Sequence, residues 1–290
     1  MISQAPTEAL YLDNSSLHTS STELISCQQV SSLDEDTKRL AKNIAPENFA
    51  LVTRRTIFYA QGGGQPSDTG FITAEIRQGE SGDSKFEVLL VRKTFDGTIY
   101  HFGRFLAGTG AESTGIIQQP SFAPNQSVSL AIDRKKRNHH SRLHTAGHIL
   151  GLAIRLLRSQ LDVREKGKAN HFPGEASLEF EGLLYNEHKP IIQEKVNELV
   201  AQAIPVRTCW WEAAEIKERI HELNMAEGMQ DAVGGMGRVR IAEIGDLDAN
   251  PCGGTHVENT GKTGEIRIRK ISRQKGVTKV SYEVPVNFDL

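Results

Sequence analysis

Two short phrases, more than a hundred residues apart, constrain the fold of this 290-residue chain more than any other feature. The first is Arg142-Leu-His-Thr-Ala-Gly-His-Ile-Leu150 and the second is Pro251-Cys-Gly-Gly-Thr-His-Val257. His144 and His148 are four apart, so on a helix they share one face and can grip one ion. Leu143, Gly147, Leu150, Ile154 and Leu157 form the adjoining apolar stripe, which lets the helix bury itself while presenting both imidazoles. Cys252 and His256 flank a tight turn that Gly253 and Gly254 permit. Each phrase alone is more often ordinary surface or core. Together, in a chain with only three cysteines, they offer the nitrogen and sulfur donors that zinc prefers. A fold that uses them must bring one helix and one distant loop to the same point.

Absent features narrow the chemistry. A zinc peptidase helix carries glutamate directly after its first histidine, and here that position is Thr145. Gly261-Lys-Thr263 looks like the end of a phosphate loop, but the glycine required five residues upstream is His256. The Gly62-Gly-Gly64 run lacks the strand-to-helix setting of a dinucleotide fingerprint, and Pro66 and Gly70 mark it as turns.

At 38% hydrophobic and 24% charged residues, the composition is that of an ordinary soluble protein long enough for two cores. No apolar run approaches the roughly 18 residues that span a bilayer, and Met1 to Ser21 has no basic-then-apolar signal design. A cytosolic monomer without membrane association is therefore expected, with Cys27, Cys209 and Cys252 as reduced thiols.

The formal net charge of −2 conceals a segregation along the chain. Residues 1–50 hold seven acids against three bases, residues 133–142 five bases and one acid, and residues 262–281 seven bases and one acid. Arg134, Lys135, Lys136, Arg137 and Arg142 run into the metal helix, while Arg267 and Arg269 lie in the later block. Such blocks alone read as solvated faces; beside a metal helix they suit a phosphate backbone.

Alternating segments such as Phe86–Val91 and Val128–Ile132, separated by turn residues, predict an all-β barrel. After it the periodicity becomes mixed. Helices are expected near 138–158, from Pro190 with Ile191, Ile192, Val196, Leu199 and Val200 inward, and through Ile216, Ile220 and Leu223. Strands are expected at Ala176–Glu181, Val206–Trp211, Val239–Ile241 and Ile266–Ile268. Gly234-Gly-Met-Gly237 reads as a simple turn ahead of a strand. The expected class is α+β: an N-terminal β-barrel followed by an α+β domain with a mainly antiparallel sheet. Boundaries fall at 1–30 for an extension rich in serine and threonine, read as either an extra strand or a partly disordered segment, 31–135 for the barrel and 136–290 for the zinc-binding domain.

His144-Thr-Ala-Gly-His148, Asn250-Pro-Cys-Gly-Gly-Thr-His-Val-Glu-Asn-Thr260 and Phe58-Tyr-Ala-Gln-Gly-Gly-Gly-Gln-Pro-Ser-Asp-Thr-Gly70 resemble the three signature segments of the AlaX family, in that family's order. These are free-standing relatives of the editing domain of alanyl-tRNA synthetase, and the resemblance spans roughly residues 45 to 285. It implies hydrolysis of alanine-specific tRNA mischarged with serine, and in some members with glycine. It also implies a zinc site at His144, His148, Cys252 and His256, an acceptor-stem partner, and a barrel that flanks the catalytic pocket. Asn259-Thr-Gly-Lys-Thr-Gly-Glu-Ile266 departs from the family pattern as a short insertion, expected to approach substrate in its own way. Segments 78–85 and 107–125 read as extra surface loops.

Zinc would polarise the ester carbonyl or make water acidic enough to attack, with a pKa of about 7. Four protein ligands fill a tetrahedral site, so a loose ligand, five-coordination and a purely orienting ion all stay open. Thr145, beside the first ligand, Thr255, beside the last, and Gln65 and Asp68 are the candidates for groups that back the ligands and support catalysis, with Thr145 and Gln65 also placed against a serine hydroxyl. Asp68 reads as a turn cap. Alternatives from other classes are a deacylase for serine-charged threonine tRNA, a zinc enzyme for a small-molecule ester, and a noncatalytic zinc-stabilised RNA-binding module.

Overall fold

The computed structural model describes residues 6–74, 85–106, 116–117, 122–219 and 237–286. The chain divides into two compact units: Met1–Gln61 with Pro66–Arg137, and Gly62–Gln65 with Asn138–Leu290.

The first unit holds β1 (Glu8–Ala9), β2 (Thr19–Gln29), α1 (Glu35–Leu40), β3 (Phe49–Thr53), β4 (Arg55–Thr56), β5 (Gly70–Ala74), β6 (Lys85–Lys93), β7 (Ile99–Leu106), β8 (Ile116–Ile117) and β9 (Ser127–Ile132). The sheet runs β3-β2-β9-β5-β6-β7-β8, and a further pairing of β3 with β7 closes six antiparallel strands into the barrel expected from the alternating pattern. Closure removes the open edges a flat sheet would expose. Residues 19–29, read from sequence as part of an extension, are a strand of this barrel: β2 pairs with β3 on one side and β9 on the other. Their serine and threonine content left the strand as one of two options, since only Leu24 is a fully buried aliphatic there.

The interior is aromatic. Phe105 meets Phe49, Phe86 and Phe122 edge to face at 4.9 to 5.2 Å, the geometry aromatic quadrupoles favour. In β6 the alternation Phe86, Val88 breaks at a bulge between Val88 and Leu90, so the next inward residue is Val91. Asp68 is no turn cap. It accepts from the Tyr59 amide at 2.7 Å and pairs with Arg137, and both side chains are almost fully buried.

The second unit contains most of α2 (Arg134–Leu156), then β10 (Val163–Asn170), β11 (Ser177–Gly182), α3 (Lys189–Ala201), β12 (Val206–Glu212), α4 (Ala213–Arg219), β13 (Arg238–Ile244), β14 (Asp248–Pro251), β15 (Arg267–Gln274) and β16 (Val277–Glu283). Two antiparallel sheets form, in orders β10-β11-β16-β15 and β12-β13-β14. Leu143, Ile149, Leu150, Ala153 and Ile154 of α2 share one core with Ile192, Val196 and Leu199 of α3 and with Leu178, Phe180, Ile268, Ile271 and Val280 of the larger sheet. Strand β10 was not expected: its run Val163-Arg-Glu-Lys-Gly-Lys carries no apolar alternation. Helix α2 starts at Arg134, four residues before the expected 138. Asp133 accepts from the Lys135 and Lys136 amides, each at 3.1 Å, and so caps its first turn. The readings at Ile220, Leu223, Gly234–Met236, 78–84 and 107–121 lie outside the residues whose side chains are described. No described helix is long and apolar enough to cross a membrane.

Inside the barrel, His101 is fully enclosed. Its Nδ1 donates to the Leu51 carbonyl at 3.1 Å and its Nε2 accepts from Thr56 Oγ1 at 2.7 Å, while Thr56 accepts the Phe58 amide. Only a neutral ring satisfies this set, and burial lowers its pKa to about 4 from an ordinary 6.5. The unfolded chain takes up a proton as pH falls below 6.5, whereas the folded chain does so only near 4. Stability should therefore be complete above pH 6.5 and decline by on the order of 3 kcal/mol as pH falls towards 4. Urea unfolding at steps between pH 7 and 4.5 should show that slope in the wild type and a shallower one in His101→Gln. Parallel curves would remove His101 as the cause.

Candidate metal centre

Helix α2 places His144 and His148 one turn apart with rings 5.2 Å between centroids and nearly parallel. The loop after β14 brings His256 within 4.8 Å of His144 and 5.1 Å of His148, completing a triangle of imidazoles. Cys252 Sγ lies 3.4 Å from His144 Nε2 and 3.3 Å from His256 Nε2. The donor atoms of all four residues fall within 4.8 Å of one another. The turn between the two ligands of the loop is as tight as its glycines suggest: a Cβ on Gly254 would lie 2.1 Å from the His144 ring.

Proton positions follow from counting hydrogen bonds. Gln65 Oε1 receives His144 Nδ1–H at 2.7 Å and the Thr255 amide at 3.0 Å, which leaves the His144 lone pair on Nε2, facing the sulfur. Thr145 donates its one hydroxyl proton to the Ser141 carbonyl at 2.8 Å. It can then only accept, from the Val257 amide at 3.2 Å and from His256 Nδ1 at 3.3 Å, so the His256 lone pair also sits on Nε2. His148 Nε2 is buried with no hydrogen-bond partner. Two inward lone pairs, the orphaned buried His148 nitrogen and one sulfur fit a metal of borderline softness.

Burial, reinforced by the neighbouring imidazoles and Arg240, holds His144 and His256 well below their ordinary pKa, and burial alone brings His148 to about 4. Neutral rings are what metal ligation requires. Burial raises the Cys252 thiol, opposed by the Gly254 amide at 3.4 Å from Sγ and by the Arg240 guanidinium. Arg240 itself donates to the Cys252 and Gly254 carbonyls at 2.8 and 2.9 Å, clamping the loop. Nothing in the sequence marked Arg240, because strand alternation puts it on the face opposite Val239 and Ile241 and only the folded loop covers it.

Gln65, Thr145 and Thr255, expected to back the ligands and, for Thr145 and Gln65, also to meet a substrate hydroxyl, take only the first of those places. Gln65, Thr145 and Thr255 are wholly buried behind the ligands, with Thr255 Oγ1 bonded to Gln65 Nε2 at 2.9 Å and Ser141 Oγ at 2.7 Å. The Thr145 hydroxyl is fully committed, so it is not a partner for a substrate hydroxyl. All three orient ligands instead, which metal sites depend on nearly as much as on the ligands. A cavity of about 380 Å³ opens beside the centre, lined by His144, His148 and Cys252 together with Glu165, Lys168, His171 and Asn250.

Of the basic residues, Arg134, Lys135 and Lys136 are exposed at the start of α2. Arg137 is buried, donating to Asp68 and to the Ile57 and Ser15 carbonyls at 2.6 and 2.8 Å. Arg142 is likewise buried, donating to the Thr263 carbonyl at 2.8 Å. Neither can meet a phosphate, contrary to the expectation: Arg137 turns inward just after the exposed first turn, and by Arg142 the helix is buried on all sides. Arg267 pairs with Glu265 and Arg269 with Glu283 at the surface. The insertion at 259–266 does not reach out: Thr260 Oγ1 donates to the Leu199 carbonyl at 2.6 Å and accepts the Ile204 amide.

A barrel followed by an α+β unit that gathers three imidazoles and a thiol beside a cavity could hold a metal ion, and comparison with known sequences places the chain among tRNA-synthetase-related proteins. Residues 239–280 match the model of the threonyl and alanyl tRNA synthetase second additional domain, and residues 4–121 match that of class II (A) tRNA synthetases. The chain is 31% identical over 227 residues to the alanyl-tRNA editing protein AlaX-M of Methanosarcina barkeri, covering 77% of this chain and 84% of that one. It is 30% identical over 231 residues to AlaX-M of Methanosarcina mazei. It is also 28% identical over 254 residues to the alanine–tRNA ligase of Methanothermobacter thermautotrophicus, of which it spans only 25%. The chain belongs to the AlaX family of alanyl-tRNA editing proteins.

Metal analysis of purified protein should find one zinc per chain, and His148→Ala and Cys252→Ala should lose it. Gln65→Leu, which frees the His144 tautomer, should weaken metal affinity by about 10- to 100-fold. Full occupancy in all three variants would show that the ion, if any, binds elsewhere.

Proposed function

We propose that the protein is a trans-editing aminoacyl-tRNA deacylase, hydrolysing the ester of seryl-tRNA specific for alanine, with the glycyl ester as a second substrate. The observation that carries this reading is the three-nitrogen, one-sulfur centre, with the His144 and His256 tautomers fixed by Gln65 and Thr145, opening on a cavity with Glu165, Lys168 and Asn250 in its wall in a chain of this family. Zinc held there would supply Lewis-acid pull on the ester. Cys252, His144, His148 and His256 would hold the ion, Arg240 would keep the ligand loop in place, and the enclosing walls would exclude bulk water.

An alanine-activating pocket cannot strongly exclude an analogue with one more hydroxyl, so a second site must recognise what the first admits. A few polar groups in the cavity wall suit that task, because a serine hydroxyl can be bonded there while alanine leaves those groups unpaired. Lys168, Asn250 and Glu165, which line the cavity, are better placed for this than the committed Thr145 and Gln65.

Binding of tRNA is supported by the first turn of α2. Arg134, Lys135 and Lys136 are exposed where the helix dipole opposes positive charge, with the capping Asp133, 3.8 Å from Lys136 Nζ, setting one carboxylate against three cations. A polyanion would relieve that conflict. Arg267 and Arg269 are a second candidate surface, since exposed ion pairs such as theirs are worth little and can be exchanged for phosphates.

Threonine-specific tRNA charged with serine is the competing substrate, favoured by the match of residues 239–280 to a domain model shared by threonyl and alanyl synthetases. Single-turnover deacylation of seryl, glycyl and alanyl esters on alanine tRNA, and of the seryl ester on threonine tRNA, separates the two. Seryl-tRNA specific for alanine should be cleaved fastest, correctly charged alanyl-tRNA spared, and Cys252→Ala inactive. Faster cleavage on threonine tRNA would reverse the specificity, and cleavage of no aminoacyl-tRNA would end the deacylase reading.

Replacing Arg134, Lys135 and Lys136 together by glutamine should weaken tRNA binding whatever amino acid it carries. The salt dependence should flatten by about 0.7 to 0.9 log units for each phosphate that is no longer neutralised. A weaker complex with an unchanged salt slope would mean these side chains do not touch phosphate.

A further inference from the structure

No motif marks His171, yet it occupies the cavity wall. Its ring is 3% exposed and stacks on His144 with centroids 4.2 Å apart, outside the four-donor cluster. His171 Nδ1 lies 2.6 Å from the Tyr282 hydroxyl, which donates to the Leu143 carbonyl at 3.1 Å. A phenol has one proton. With that proton on the Leu143 carbonyl, the hydroxyl accepts from Nδ1–H, and the free lone pair of the imidazole falls on Nε2.

The ring is seated between two glycines. A Cβ on Gly147 would lie 2.4 Å from Cε1 and 2.8 Å from Nδ1, and one on Gly64 would lie 3.2 Å from Cδ2. The His171 amide donates to the Gly64 carbonyl at 2.9 Å, tying the glycine-rich run to the end of β10. Nε2, the atom between Cε1 and Cδ2, therefore sits at the ring tip between Gly147 and Gly64, and those glycines line the cavity with His171 itself. Glu165 and Asp248 line the same cavity. Asp248 is paired with Arg155, so the preference comes from the ring itself: an acceptor nitrogen takes a cationic N–H donor and offers nothing to a carbonyl or phosphate oxygen.

Resting on the deacylase reading, we propose that His171 recognises the free α-ammonium of the aminoacyl ester through Nε2, and that Tyr282 is a positioning residue that fixes the tautomer. The site would thereby select aminoacyl esters with an unblocked amine over N-acylated ones, and no bond to His171 forms or breaks in turnover.

The experiment compares seryl-tRNA with N-acetylseryl-tRNA in wild type, His171→Asn, His171→Gln and Tyr282→Phe, with zinc content measured in each. Asparagine can keep the Nδ1-like bond to Tyr282 but has no group at the ring tip, whereas glutamine reaches it with an acceptor. Wild type should prefer the free amine by about a hundredfold or more. His171→Asn should lose most of that preference by slowing the free-amine ester alone, with zinc unchanged. His171→Gln should recover part of it, and Tyr282→Phe should fall between. The proposal is overturned if His171→Asn keeps the wild-type preference, slows both esters equally, or loses zinc. If wild type cleaves neither ester, the deacylase reading fails first. Histidine 15N spectra then decide the His171 assignment separately: Nε2 should shift on adding a seryl-amide analogue of adenosine and stay unmoved with its N-acetyl form, and equal responses to both would overturn it.

Discussion

The centre depends on one side-chain oxygen. Gln65 Oε1 takes protons from His144 Nδ1 and from the Thr255 amide, and so holds a helix ligand and the ligand loop to a single point. Without it His144 could adopt either tautomer, and the loop between Cys252 and His256 would lose its tie to the glycine-rich run. Thr145 does the same for His256 from the other side, using all the hydrogen-bonding capacity of one hydroxyl. Both residues are wholly buried, where an unmade hydrogen bond costs far more than in water. The same burial that keeps them away from substrate makes them effective at orienting ligands.

Buried cations form the second tier. Arg240 spans two carbonyls of the ligand loop, Arg142 braces the 259–266 segment through Thr263, and Arg137 satisfies Asp68 and two barrel carbonyls. Guanidinium suits this work because its donors fan out in a fixed plane and it stays charged. The result is a sorting of one basic stretch: within residues 134–142, Arg134, Lys135 and Lys136 meet solvent while Arg137 and Arg142 are structural. A helix with 3.6 residues per turn divides a charge run in this way, so net charge along a sequence overstates what a ligand can meet.

Much of this was legible in the chain. His144, His148, Cys252 and His256 could be named from spacing because ligand types are few and helix geometry links positions four apart. The barrel could be expected from Phe86–Val91 and Val128–Ile132, and α3 from Pro190 with its apolar stripe. Strand β2 was legible only as one of two options, since its faces are filled by serine and threonine rather than by alternating aliphatics, and β10 was not legible, since its stretch is charged on both faces.

The sequence by itself determined the elements with a clear apolar period and the types of side chain gathered at the centre, because both follow from local periodicity and the chemistry of single side chains. Tertiary structure alone decided which nitrogen of each imidazole faces inward, which arginines are buried, and that His171 and Tyr282 meet beside the cavity. Those outcomes join residues far apart in the chain, such as His171 and Tyr282 or Gln65 and Thr255, through hydrogen bonds whose strength depends on exclusion of water. Exclusion of water belongs to the packed molecule, and no local pattern of residues encodes it.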